Sequence, residues 1–394
     1  MKIGFDATIL GSQTQYSGIG RYSLRLMNSL AAADNSNEYI AYGPPASARP
    51  QDLDRAWQWK PLPQVRLGKL SNLVTAVRNL PRLAAGDDLD LFHVPTVHPR
   101  PSWPAVPRGI PCPLVVTLHD LIPLTHYSRG PGAMPLRWRL YYRWNLHAAA
   151  RAAAVITVSE TSRREIAGRL KIHPGRLRVI YNGIDVPPRE DISPRHSADA
   201  PFVLYVGSFE PRKNLMGAVR AHTRALGRGL PYDLVVVAAP GSGPAAPVRS
   251  EMAAAGFEDR VWFLNAVSDE RLWDLYRRAA FFVFPSLAEG FGLPPLEAMA
   301  AGTPVIASDL PAHRELLGNR VVFVDPESEE ALAGAMLELA ASAERRRELG
   351  RGGPQHAAQY TWRRCAEQTL EVYRDVCGAH VAAAGVDCIK VGIA

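Results

Sequence analysis

The feature that most constrains this chain is a rhythm in which short apolar runs alternate with helix-length segments, and which starts afresh half-way along. Strands joined through helices lie parallel, because a crossover connects them instead of a tight hairpin, and the helices then cover both faces of the sheet. In the first half the runs fall at residues 3–7, 39–42, 91–94, 114–118, 154–158 and 178–181. In the second half they fall at 202–206, 233–238, 261–264, 281–284, 305–307 and 321–324. Residues 186–201, rich in Pro, Ser and charge, read as a linker. The pattern predicts an α/β protein with two doubly wound, Rossmann-like parallel-sheet domains at 1–190 and 201–361. Ligands of such sheets sit beyond the carboxyl ends of the strands, and His119, Gly207 and Glu289 all fall there.

Bulk properties narrow the class of partner. The chain of 394 residues carries 45 Lys and Arg against 38 Asp and Glu, a formal net charge of +7, which suits an anionic partner such as a nucleotide diphosphate or a lipid headgroup. It has no compact Lys/Arg tract and no zinc-finger or aromatic RNA-binding module, so no nucleic acid is expected. Cys112, Cys365, Cys377 and Cys388 lack the paired spacing of a zinc site or disulfide framework, and free thiols in a reducing compartment are expected. The opening Lys2-Ile-Gly-Phe-Asp-Ala7 reads as a strand without a signal peptide's apolar core, and no apolar run is long enough to span a bilayer. A cytoplasmic protein, soluble or peripheral at the inner membrane face, is the expectation.

The richest local signal is Glu289-Gly-Phe-Gly-Leu-Pro-Pro-Leu-Glu297, two carboxylates separated by seven residues across a strand-to-helix turn. Phe281-Phe-Val-Phe284 supplies the strand, Pro285 and Ser286 end it, and Gly290 and Gly292 let the backbone approach a ligand closely. Pro294 and Pro295 suit a first helical turn, and Gly302 with Pro304 stops the helix. Ionised carboxylates accept hydrogen bonds from sugar hydroxyls, so Glu289 and Glu297 predict a sugar-nucleotide site, supported by the main chain of Gly290, Phe291, Gly292 and Leu293. A second cluster, Gly207-Ser-Phe-Glu-Pro-Arg-Lys-Asn214, places Arg212 and Lys213 after a strand and at a helix start. Arg212 can fork onto phosphate oxygens and Lys213 adds a compact charge. A departing diphosphate gains negative charge, and one preorganised donor is worth a few kcal/mol, roughly 10²–10³ in rate.

In their order along the chain these runs resemble the glycosyltransferases of family 4, retaining enzymes of the GT-B fold with a carboxylate pair at this spacing. Gly18-Ile-Gly-Arg-Tyr22, His119-Asp120, Val158-Ser159-Glu160, Asn182-Gly-Ile-Asp185, the 207–214 run and the 289–297 run carry the resemblance over nearly the whole chain. It implies that Glu297 binds the nucleotide ribose, that Glu289 binds the donor sugar, and that Arg212 and Lys213 beside Gly207 neutralise the diphosphate. His119 would lie beside the donor sugar while Asp120 orients its loop. Gly18 and Gly20, before a helix starting near Arg21, would approach phosphate or acceptor. Main-chain groups near Val267 would hold the base, although Phe263-Leu-Asn-Ala-Val-Ser-Asp269 departs there from the family's glycine-plus-aromatic pattern. The last helix, at 362–377, would cross back to the first domain, and 378–394 is expected to be a flexible tail. The resemblance also implies a reaction in which the departing phosphate helps to deprotonate the acceptor hydroxyl, so that the enzyme mainly positions and neutralises. No cofactor and no bound metal are expected. Asp52-Leu-Asp54 and Asp88-Leu-Asp90 match a metal-binding triplet of another glycosyltransferase fold, but that triplet is common by chance.

The expected function is transfer of a hexose, first of all mannose from GDP-mannose, to a glycan or lipid-linked acceptor destined for cell-surface polysaccharide. The donor expectation rests on the likeness of 18–22 and 290–297 to bacterial mannosyltransferases, and UDP-linked glucose, galactose or N-acetylglucosamine stay open. Two other classes fit the fold: a nucleotide-sugar 2-epimerase, which leaves the nucleotide attached, and a non-catalytic nucleotide-sugar-binding protein. Residues 134–151 mix Arg137, Arg139, Arg143 and Arg151 with Trp138, Tyr141, Tyr142 and Trp144. That mixture suits a membrane surface or lipid-linked acceptor, or else a helix packed in the first domain whose arginines reach out to water.

Overall fold

The computed structural model describes residues 1–11, 18–63, 74–98, 105–127, 134–186, 201–238, 246–265 and 267–390, with side chains up to residue 382. The chain divides into two compact units, one of Met1–Gly183 with Trp362–Ala394 and one of Ile184–Thr361. The division falls ahead of the expected linker, of which 187–200 lies outside the described residues.

Among its described residues the first unit holds seven parallel strands: β1 (Lys2–Asp6), β2 (Glu38–Gly43), β3 (Trp57–Pro61), β4 (Leu91–Val94), β5 (Leu114–Thr117), β6 (Ala154–Thr157) and β7 (Leu177–Val179). They are ordered β3-β2-β1-β4-β5-β6-β7, so the winding reverses between β1 and β4. Six of these strands were legible as apolar runs. The seventh, β3, is not, because Gln58 and Lys60 break its apolar pattern and Pro61 closes it, a composition that an edge strand tolerates. Trp57 holds β3 in place: it is buried, its ring meets Phe5 edge-on at 5.5 Å, and its Nε1 donates to the Met27 carbonyl at 2.9 Å.

The final helix, Trp362–Lys390, belongs to this first unit. Trp362, Cys365, Ala366, Leu370, Tyr373 and Val376 recur at helical spacing and bury into the same core as β1 and the Gly18–Ala33 helix. His93 ties this packing together. Its ring bridges the Tyr373 hydroxyl and the Thr117 hydroxyl from a fully buried position, and burial pulls its pKa down to about 3. The helix runs through Gly378 to Lys390, past the end expected for it at residue 377. Once a helix is nucleated, each further residue gains a hydrogen bond that offsets the backbone freedom it loses, and 378–390 is Ala-rich with no Pro to stop it. Cys112, Cys365 and Cys377 are free thiols.

Three further expectations of the first unit resolve locally. Val158-Ser159-Glu160 is a helix start, where the Ser159 hydroxyl accepts from the Ser162 N–H at 3.0 Å and caps the Glu160–Leu170 helix. The Asp-x-Asp triplets serve the backbone: Asp90 accepts from the Lys2 N–H at 2.7 Å and Asp54 from the Ala56 N–H at 2.8 Å. Residues 136–149 form a helix, Leu136–Ala149, that buries Tyr142, Asn145, Leu146 and Ala149 and leaves Leu136 and Leu140 68% and 57% exposed.

The second unit holds six parallel strands: β8 (Val203–Val206), β9 (Leu234–Ala238), β10 (Val261–Asn265), β11 (Phe281–Phe284), β12 (Val305–Ser308) and β13 (Val322–Val324). Their order is β10-β9-β8-β11-β12-β13, and all six match the apolar runs. The central strands are buried on both faces, as parallel sheets covered by helices require. Here the winding reverses between β8 and β11, which pair as neighbours. The two chemistry-bearing runs therefore leave adjacent strands at the switch point, where doubly wound sheets bind ligands.

Candidate active site

After β8 the chain passes Gly207 and makes a short 3-10 turn, Pro211–Lys213, before the Leu215–Leu226 helix. Gly207 must be small, since a Cβ there would stand 2.9 Å from the Tyr205 hydroxyl. That hydroxyl donates to the Lys213 carbonyl at 3.1 Å and so fixes the turn that presents the two cations. The turn is joined to the next one by the Leu287 N–H, which donates to the Arg212 carbonyl at 2.7 Å.

After β11 the chain reaches Gly292 at φ +101°, a left-handed conformation costly for any residue with a Cβ, and starts the Leu293–Ala300 helix. Pro294 and Pro295 lack N–H groups that the first turn would leave unpaired in any case. Glu289, its side chain only 7% exposed, lies between the cations: Oε1 is 2.6 Å from Lys213 Nζ and Oε2 3.1 Å from Arg212 Nη1. Arg212 also donates to the Ala288 carbonyl at 3.3 Å and to Glu210 at 2.9 Å, while Lys213 Nζ stands 5.0 Å over the Phe284 ring. Burial alone would raise the Glu289 carboxyl, but the Lys213 and Arg212 charges outweigh it and hold the pKa down to about 2. Lys213 is lowered by its own burial even though Glu289 pulls it the other way, because the ammonium loses hydration and faces a like charge on Arg212.

Glu297 is engaged separately. The Tyr276 hydroxyl, from the buried face of the Asp269–Arg278 helix, donates to its Oε2 at 2.9 Å. Val267 precedes Ser268, which caps that same helix. The structure thus brings Arg212, Lys213 and Glu289 into direct contact and places Gly290, Phe291, Gly292, Leu293 and Glu297 on the turn and helix that follow.

His119, Asp120, Gly18 and Gly20 belong to the first unit. His119 follows β5, donates from Nε2 to the Pro95 carbonyl at 3.0 Å and meets the Tyr22 ring edge-on at 4.7 Å. Burial lowers its pKa to about 4 against that carbonyl's opposing effect, so the ring is neutral at pH 7. Asp120 accepts from the Ile122 N–H at 2.9 Å, a loop-orienting contact. Gly18 and Gly20 lie inside the Gly18–Ala33 helix, which corrects the expected start near Arg21. Glycine weakens a helix but does not forbid it, and tertiary burial of Gly20, Tyr22 and Ser23 carries the extra turn. Tyr205 and Tyr276 were missed by sequence reading, since each looks like one more aromatic in an apolar run.

Comparison with known proteins identifies the family. Residues 16–187 match the Glycosyltransferase Family 4 domain and residues 188–356 match Glycosyl transferases group 1. The chain belongs to these glycosyltransferase families. It is 32% identical over 235 residues to the O-antigen chain mannosyltransferase RfbU of Salmonella typhimurium, covering 57% of this chain and 64% of that protein. It is 29% identical over 387 residues to O-antigen chain mannosyltransferase B of Escherichia coli, covering 91% of this chain and 96% of that protein. In structure it is similar to sucrose-phosphate synthase of Thermosynechococcus elongatus, with a TM-score of 0.74 at 21% identity, over 96% of this chain and 100% of that one. The two-sheet architecture is that of the GT-B fold.

The Glu289 pairing carries a signed pH dependence. Its folded pKa is lower than the ordinary 4.5, so its stabilisation is full above about 4.5 and is lost as pH falls toward about 2. Thermal unfolding followed by circular dichroism should show wild-type Tm falling more steeply over that window than the Tm of Glu289→Gln; parallel acid limbs would contradict the pairing.

Proposed function

We propose that the chain is a retaining hexosyltransferase that moves mannose from GDP-mannose to a glycan or lipid-linked acceptor in cell-surface polysaccharide synthesis, without a bound metal. The observation that supports it most is the buried carboxylate held by two cations at the switch point of the second sheet. The two cations are matched by buried Glu289 and by the more exposed Glu210, so a diphosphate would be met by donors re-aimed from these carboxylates. In this reading Arg212 and Lys213 turn part of their donor capacity from Glu289 to the leaving group, and Glu289 then accepts hydrogen bonds from the donor sugar. Glu297, pre-oriented by Tyr276, takes the ribose hydroxyls. The main chain near Val267 takes the base. His119, in the first unit, is a neutral hydrogen-bonding group and not a charge.

The same electrostatics support the retaining route. A carboxylate with its pKa held at about 2 is a weak base and a weak nucleophile, so Glu289 is better suited to holding the sugar than to attacking it. The departing phosphate oxygen then receives the acceptor's proton on the face it leaves, and Arg212 with Lys213 stabilises the charge as it develops. The donor sugar is read from the two mannosyltransferases similar to this chain. No helix among the described residues is long and apolar enough to cross a membrane. The exposed Leu136 and Leu140, with exposed Arg137 and Arg143 on the same helix, support peripheral contact with an anionic surface.

Arg212→Ala or Lys213→Ala should cut turnover by at least about 10² through lost leaving-group stabilisation; near-normal rates in a nucleotide-release assay would remove the diphosphate role. EDTA should leave turnover unchanged, and abolition reversed by Mg²⁺ or Mn²⁺ would overturn the metal-free reading. Vesicles containing anionic phospholipid should pellet the wild-type protein and pellet less of a Leu136→Glu, Leu140→Glu double variant; equal recovery of the two would remove this helix as the contact.

A further inference from the structure

His313 has no part in the roles assigned so far. It lies on the short Pro311–Leu317 helix that follows β12 and is fully buried. Its Nδ1 is 2.9 Å from the Ser308 carbonyl oxygen. A carbonyl only accepts, so Nδ1 carries the proton and Nε2 of the neutral ring offers a lone pair. Burial holds this imidazole below its usual range even though the Glu289 charge acts the other way. Nε2 has no hydrogen-bond partner among the described residues. A buried acceptor left unmatched is costly, so native proteins seldom keep one unless something else completes it.

The ring faces the back of the turn that carries Glu289. A Cβ built on Gly292 would stand 3.4 Å from His313 Nε2 and 3.5 Å from its Cδ2, and the Phe284 ring flanks it at 5.7 Å between centroids. Ser286, fully buried where β11 gives way to the same turn, also has a side-chain oxygen without a partner. The described residues of the second unit hold three such buried side-chain atoms, the third on His222, so two of the three border this turn. The unmatched polarity is gathered behind the backbone that presents the sugar-facing carboxylate.

We propose that His313 is a positioning residue for the donor sugar: its Nε2 accepts a hydrogen bond from the backbone of the 289–292 turn, directly or through one buried water, when that turn seats on a nucleotide-bound hexose. The acceptor fixes the angle at which Glu289 and the turn's N–H groups meet the sugar. The inference rests on the sugar-nucleotide reading of this site. It concerns the sugar and not the nucleotide, because Glu297 is oriented independently by Tyr276.

Two substitutions separate the two ring nitrogens. In His313→Gln the side-chain amide reaches the place of Nε2 and gives up the tie to Ser308; in His313→Asn it reaches the place of Nδ1 and gives up the acceptor behind Gly292. Calorimetric titration of the full chain with GDP, GDP-mannose, UDP and UDP-glucose, alongside thermal unfolding of each variant, reads the difference. Affinity for the sugar conjugate that binds wild type should fall about 10-fold in His313→Asn, the loss of one buried hydrogen bond, and stay within about 3-fold in His313→Gln. Affinity for the bare diphosphate should be unchanged in both. Equal losses in the two variants, or no loss in His313→Asn, would overturn the role of His313 alone. A wild-type protein that binds none of the four probes would overturn the site reading itself, and this inference with it.

Discussion

A single buried charge organises the carboxyl edge of the second sheet. Glu289 cannot stay ionised at 7% exposure without compensation, and it receives it from Lys213 at 2.6 Å and Arg212 at 3.1 Å. Removing one partner of such a pair typically costs 3–5 kcal/mol, because the remaining charge is left uncompensated in a medium that solvates it poorly. That coupling locks together two turns, one leaving β8 and one leaving β11. The backbone bond from Leu287 to Arg212 and the Tyr205 hydroxyl on the Lys213 carbonyl then fix the geometry further. What results is a cross-linked, partly dehydrated cluster of two cations and two carboxylates, with Glu289 buried and Glu210 more exposed.

The same interaction explains why the site is chemically restrained. A carboxylate saturated by two cations is a poor nucleophile. In the proposed reaction the protein places and neutralises: the substrates supply the bond-making groups, and Glu297 on its tyrosine, Glu289 on its cations and the Gly292 turn would set their positions. The two matched glycosyltransferase domains and the similarity to O-antigen mannosyltransferases give that chemistry its place.

Much of this was legible in the sequence, for an identifiable reason. Parallel strands buried on both faces must be apolar along their length, so all of the second sheet and most of the first stood out as runs, while β3, an edge strand interrupted by Gln58 and Lys60, did not. The Glu289 turn and the Arg212-Lys213 turn were visible because glycines, prolines and charges interrupt those runs at fixed offsets. Their mutual contact, across 76 and 77 positions of sequence, was not, since only the pairing of β8 with β11 brings the two ends together. Tyr205, Tyr276 and His313 were hidden for a different reason: a polar atom on a buried aromatic ring leaves no trace in periodicity, and its role depends on which backbone it faces. The helix start at Gly18 and the long final helix were misjudged because local signals of flexibility were overridden by packing and by cheap helix elongation.

The central claim is that the second unit binds a nucleotide sugar through Glu297 and the Glu289 turn. Calorimetric binding of GDP, UDP and ADP and of their common sugar conjugates to the wild-type chain and to Glu297→Ala tests it most directly. The account predicts micromolar binding of one nucleotide family, GDP first, that is lost in Glu297→Ala while the variant's unfolding temperature stays close to wild type. Binding of no nucleotide, or equal binding by wild type and variant, would contradict it.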